Sequence, residues 1–203
     1  MQIELLKRTP SSYLGSCRFK LPNPATDERP FVQLFELFAK YCIGAVFYIG
    51  GNDSMDTIAK LSAYGAAKGS EIRFIGVPKT IDNDLMYTDH TPGYGSAAKY
   101  IATILKEVIC DSSVYNIRSV TVAESMGRHT GWLAGAASLA AGADCNGPDI
   151  ILLPERPFDE NVFLEKVAQL EKDRHNVIIA ASEGVKNKDG VFLCDLVSTA
   201  GQL

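Results

Sequence analysis

Most of the features that announce a specialised protein are missing from this chain. Its 203 residues hold 20 lysines and arginines against 24 acids, a net charge of −4, so there is no basic face to offer a nucleic acid. Anions must then be bound by backbone donors and a few placed cations. The five cysteines, Cys17, Cys42, Cys110, Cys145 and Cys194, form no CxxC, and the histidines show no ligand spacing. Scattered cysteines of this kind point to reduced thiols and a cytoplasmic setting. MQIELLKRTPSS is not a signal peptide, and no apolar run approaches the length that crosses a membrane. Repeats, low-complexity tracts and linkers are absent too. No GxGxxG follows the first strand-like run, and no acid is placed for a ribose, which argues against a dinucleotide-binding module.

What remains is ordinary globular material, 46% hydrophobic and 22% charged, long enough to bury a substantial core. Short apolar runs at 44–50, 72–77, 117–123, 149–153 and 176–181 have the length and branched-residue content of buried strands. Helix patterns lie at 30–42 and begin at Ser54, Gly95, Gly131 and Asn161; in the third of these Ala97, Ile101, Ile104, Leu105 and Val108 share one face. The alternation predicts an α/β protein, a three-layer αβα arrangement on a mainly parallel sheet. The proline-bearing first thirty residues read as an irregular lead-in, and KNKDGVFLCDL reads as a hairpin around Asp189 and Gly190. The fold is therefore expected to be incomplete at both ends.

In an open parallel sheet, ligands gather beyond the carboxyl ends of the strands. The first strand is followed by Gly50-Gly51-Asn52-Asp53-Ser54, where glycines let backbone N–H groups reach a phosphate near a helix start. A tight turn with a serine cap accounts for the same residues. Asp53 would repel a large polyphosphate and so restrict what fits. The second strand leads into Lys79-Thr80-Ile81-Asp82-Asn83-Asp84. One of these carboxylates could accept a proton while the other holds a divalent cation, with Lys79 neutralising the transferred anion; a solvated Asx-rich turn is the plainer reading. Beside a glycine-rich loop at a neighbouring strand end, the functional reading is favoured.

The third strand ends in Met126-Gly127-Arg128-His129, a close-approach glycine and a guanidinium fork for phosphate, or equally a helix-entry turn with an exposed arginine. His90, His129 and His175 read as ordinary surface. Glu155 and Glu183 close the last two strands; a glutamate there can accept sugar hydroxyls, although most such carboxylates are simply solvated.

LGSCRF, GGNDS, PKTIDND, MGR and the Ser182-Glu183-Gly184 turn, in this order, resemble the phosphofructokinase family over nearly the whole chain. The resemblance implies that Asp82 takes the proton from the 1-hydroxyl of fructose 6-phosphate and that Asp84, with Asn52, serves Mg²⁺. Arg18 would steady the phosphoryl group in transit, a step that needs positive charge more than covalent help. Thr80, Asp84, Met126, Gly127, Arg128 and Glu183 would bind the sugar phosphate, and Gly51, Asn52, Asp53, Ser54 and Lys79 the donor. ATP users in that family resemble GGDGS and PGTIDND; an acid at Asp53 and a lysine at Lys79 resemble diphosphate users, which makes the implied step readily reversible.

Asn52 stands where the family commonly has a metal-associated aspartate, and Arg118 lies one residue early for a contact into a neighbouring subunit. Glu155 matches an effector position and is left out of the active site. The resemblance covers a central portion: residues 1–148 would be most of the donor-side lobe and 149–203 the start of the sugar-phosphate lobe, in a homo-oligomer without nucleic-acid or membrane partners. An ATP-dependent phosphofructokinase, and a silent fragment or subunit that binds phosphorylated sugars, are the competing readings.

Overall fold

The computed structural model describes residues 3–8, 15 and 19–200. It divides into two compact units, 1–78 and 79–203. The first carries α1 (Arg29–Lys40), β1 (Ala45–Gly50), α2 (Asn52–Ala67) and β2 (Arg73–Pro78). The second carries α3 (Tyr94–Ser113), β3 (Ser119–Ser125), α4 (Trp132–Ala136), β4 (Ile150–Leu152), α5 (Glu160–Asp173), β5 (Asn176–Ser182) and α6 (Leu193–Ala200). Every pairing between these strands is parallel, in a two-stranded sheet β1-β2 and a three-stranded sheet β3-β5-β4. The α/β alternation expected from the sequence is present, with strand bounds displaced by a residue or two.

In the first unit, Pro30 starts α1 in the first turn, where its missing N–H costs nothing. Phe31 of α1 and Leu61 and Tyr64 of α2 are buried together with Leu21, and Phe35 and Phe74 pack against them. Gly65 allows this approach: a Cβ there would lie 3.1 Å from the Phe74 ring and 3.3 Å from Phe35. Phe74 and Gly76 thus turn one face of β1-β2 toward these helices.

In the second unit β5 is covered on both faces, and its alternation shows how. Ile178 and Ala180 pack against Leu105 of α3 and against Ala137 and Ala140, which form a 3-10 turn after α4. Val177 and Ile179 point the other way, onto Val167 of α5. This is the three-layer αβα arrangement, and fully apolar strands are what it requires. Two expectations are refined. The buried face of α3 runs through Ala98, Ile101 and Leu105, with Ile104 37% exposed, so the stripe sits one residue off the Ala97 row. The hairpin at Asp189 and Gly190 is present as the antiparallel bridge Lys186 to Phe192, but α6 follows it at once, a helix the short apolar run did not announce.

Candidate active site

The in-register pairing of β3 and β5 sets Ser125 opposite Ser182, so both chains leave the sheet at the same level. The next N–H, that of Glu183, donates to the Ser125 carbonyl at 2.9 Å and carries the two exits onward together. Buried Ser182 donates its hydroxyl to the Gly127 carbonyl at 2.6 Å and accepts the Gly184 N–H at 3.1 Å. Both glycines are required by close approach. Gly127 has φ +121° and a Cβ there would lie 2.5 Å from the Thr130 carbonyl; one on Gly184 would lie 2.1 Å from that of Arg128. Arg128 and Glu183 are thereby brought to a 3.8 Å ion pair. They share a cavity of about 650 Å³ with Glu124, Ser182 and an apolar wall that includes Phe158 and Phe163.

The loop after β2 is built around Asn83, which sits between the two aspartates at φ +60°, a conformation asparagine tolerates better than most side chains. Its Oδ1 accepts the Thr91 N–H at 2.9 Å and the Thr91 hydroxyl at 3.2 Å, and its Nδ2 donates to the Asp89 carbonyl at 3.2 Å. Thr91 is fully buried, so this bonding fixes the loop from inside. The Asp82 N–H donates to Thr80 Oγ1 at 3.0 Å, and the Asp82 carbonyl accepts the Thr130 hydroxyl at 2.8 Å. With its backbone held on both sides, Asp82 presents only its carboxylate.

That carboxylate is not at ease. Asp82 Oδ1 and Asp84 Oδ1 are buried with no hydrogen-bond donor among the described residues. Burial, and after it the negative charges of Asp84 and Glu183, push the Asp82 carboxyl above its ordinary range; Lys79 and His129 oppose the shift. A carboxylate in such a place readily takes a proton. Two orphaned oxygens also fit a divalent cation, though no group of three or more His, Cys, Asp or Glu side chains converges on one point among the described residues. An ion such as Mg²⁺, which keeps waters and takes substrate phosphates as ligands, suits a site offering few carboxylates.

On the first unit, Gly51 is the N-cap of α2 and its carbonyl accepts the N–H groups of Ser54 and Met55, each at 3.0 Å. The helix was expected to begin near Ser54. It begins at Asn52 because the extended backbone of Gly51 already serves as the cap, so Asn52, Asp53 and Ser54 form the first turn. Asp53 stands exposed there, where a negative side chain is stabilised by the helix and occupies the position an incoming phosphate would seek. Gly50 has its own reason to be glycine, since a Cβ would lie 2.1 Å from Ser54 Oγ.

Of the residues singled out in the sequence, Lys79, Thr80, Asp82, Asp84, Gly127, Arg128 and Glu183 thus belong to one unit and are tied by the bonds and fields above. Met126 is 55% exposed beside them. Gly51, Asn52, Asp53 and Ser54 belong to the other unit, and Arg18 lies outside the described residues. His129, expected on a helix surface, sits in a bend before α4 and its field reaches Asp82. Asn83, Thr91 and Thr130 carry no pattern that marks them in the sequence; the tolerance of asparagine for positive φ is the one available signal. Glu155 is structural here, accepting the Gly131 N–H at 2.7 Å.

The phosphofructokinase family model matches residues 2–202. The chain belongs to the phosphofructokinase family. It is 44% identical over 195 residues to a pyrophosphate–fructose 6-phosphate 1-phosphotransferase of Xanthomonas campestris pv. campestris, covering 95% of this chain and 47% of that protein. A protein of the same name from Halomonas elongata is 40% identical over 199 residues, 97% of this chain and 48% of that protein. The crystal structure of a pyrophosphate-dependent phosphofructokinase from Nitrosospira multiformis superimposes with a TM-score of 0.77 at 40% identity, over 99% of this chain and 51% of that one. The chain spans about half the length of these phosphofructokinases.

Proposed function

We propose that the protein transfers a phosphoryl group from inorganic diphosphate to the 1-hydroxyl of fructose 6-phosphate, giving fructose 1,6-bisphosphate and phosphate. The observation that carries this reading is the Asp82 carboxylate, held on a pinned backbone with an unbonded, buried oxygen and a raised affinity for protons. In the forward step the sugar oxygen attacks the terminal phosphorus as its proton passes to Asp82, and the bridging P–O bond breaks to release phosphate. The reverse step returns the proton. Arg128, Glu183, Thr80, Met126 and Gly127 hold and orient the sugar phosphate, and Lys79 supplies positive charge to the phosphoryl group in transit, a role the family resemblance gives to Arg18 as well. Mg²⁺, when bound, would supply further neutralisation of that charge, with Asp84, whose Oδ1 is buried and unbonded, as the residue that would hold it.

Diphosphate is favoured over ATP by Asp53 in the first turn of α2, because its carboxylate opposes an extended polyphosphate there. The enzyme works in the cytoplasm, in glycolysis, as a homo-oligomer. The relatives' names support this donor and acceptor, each relative being similar over just under half its own length. The test is Asp82→Asn in the full-length protein, assayed with fructose 6-phosphate, Mg²⁺ and diphosphate. Turnover is expected to fall by about 10²–10⁴ for loss of a general base. A folded variant with undiminished turnover removes Asp82 from the chemistry. A sugar-binding protein with no turnover in its unaltered form supports the silent reading instead.

A further inference from the structure

The turn that carries Arg128 is fastened at both ends. Ser182 holds the Gly127 carbonyl at 2.6 Å, and Glu155, beyond the end of β4, holds the Gly131 N–H at 2.7 Å. Between these points Gly127, at φ +121°, lets the chain curl so tightly that its α-carbon faces the Thr130 carbonyl. The Thr130 hydroxyl emerges from this curl and donates to the Asp82 carbonyl at 2.8 Å, across 48 positions of sequence. On its other side the Asp82 backbone is held by Thr80.

We infer that Thr130 is a positioning residue that latches the loop of Asp82 to the turn of Arg128, so that the proton acceptor and the phosphate-binding guanidinium keep one fixed separation. The inference rests on the reading of Asp82 and Arg128 proposed above. Thr130 is half-buried, and nothing in its hydroxyl bond requires it to touch substrate. Its effect should therefore appear in the rate of the chemical step more than in sugar binding, because small displacements of a catalytic group cost rate steeply.

The experiment compares the full-length protein with Thr130→Val, Thr130→Ala and Thr130→Ser, by kinetics with fructose 6-phosphate and diphosphate and by hydrogen exchange of the segment 79–91. Loss of the hydroxyl should lower kcat by about tenfold to a hundredfold, change KM for the sugar phosphate by less than about threefold, and speed exchange in that segment alone. Thr130→Ser should restore both. Equal behaviour of the serine and valine variants, or unchanged exchange and kcat in a hydroxyl-less variant, overturns the latch. Should valine not fold, alanine decides by the same criteria. If the unaltered protein turns over neither diphosphate nor ATP, the functional reading fails and the exchange comparison alone decides the latch.

Discussion

The two units solve the same problem to different degrees. In 79–203 the central strand is sealed on both faces, with Val177 and Ile179 at 0% exposure on one side and Ile178 and Ala180 at 3% and 4% on the other. In 1–78 only the face of Phe74 and Gly76 is covered; Phe47 and Ile49 on the opposite face are 64% and 68% exposed. Their candidate functional residues differ in the same way. Asp82 and its neighbours are held by Thr80, Asn83, Thr91 and Thr130, bonds that reach into buried structure, whereas Asn52 and Asp53 depend on one glycine cap and the start of one helix. Under the proposed function, the acceptor side would thus be built into a network, and donor selection would rest on local charge.

The comparison is broken most directly at Asp82. Its replacement by asparagine is expected to abolish nearly all turnover while the fold persists, as judged by circular dichroism and the thermal midpoint. A collapse of the fold would show that the loop depends on the charge it strains. Next in size is stability: Ile179→Ala should cost about 2–5 kcal/mol, as large-to-small changes in sealed cores do, and Phe47→Ala less than about 1 kcal/mol. Urea denaturation of each variant measures this, and equal losses would contradict the difference in burial.

A smaller effect separates conformation from bonding at Asn83. Alanine there loses the side-chain bonds to Thr91 and Asp89 and meets a left-handed backbone; glycine loses only the bonds. Asn83→Ala should therefore be the less stable of the two by about 1 kcal/mol in the same denaturation series.

The pH dependence is subtler. Because folding raises the affinity of Asp82 for protons, its contribution to stability is fully present below the ordinary aspartate pKa of 3.8 and is lost as pH rises through the folded value. Asp82→Asn lacks that loss, so its thermal midpoint should gain on the unaltered protein as pH rises across this window. A gap that shrinks with pH would reverse the assigned direction of the shift.

Much of this was legible beforehand, for reasons that particular residues make plain. Runs such as Val177 to Ala181 are fully apolar because a strand sealed on both faces has to be, and the polar residues at strand ends stood out against them. PKTIDND was visible because its group of charges exceeds what a turn needs, and MGR because a glycine that allows close approach precedes an arginine at a strand end. The ties that hold the acids were not, since Thr91 lies eight positions from Asn83 and Thr130 forty-eight from Asp82, and a lone threonine looks alike whether it faces solvent or a carbonyl. The first turn of α2 was misplaced by two residues because glycine, usually a helix breaker, here is the cap.

The most direct measurement is turnover of fructose 6-phosphate by the full-length protein in Mg²⁺, with diphosphate in one vessel and ATP in the other. Formation of fructose 1,6-bisphosphate from diphosphate but not from ATP is the predicted result, with Asp53 and Lys79 as the selecting residues. Formation from ATP alone would contradict the donor assignment and the roles given to both.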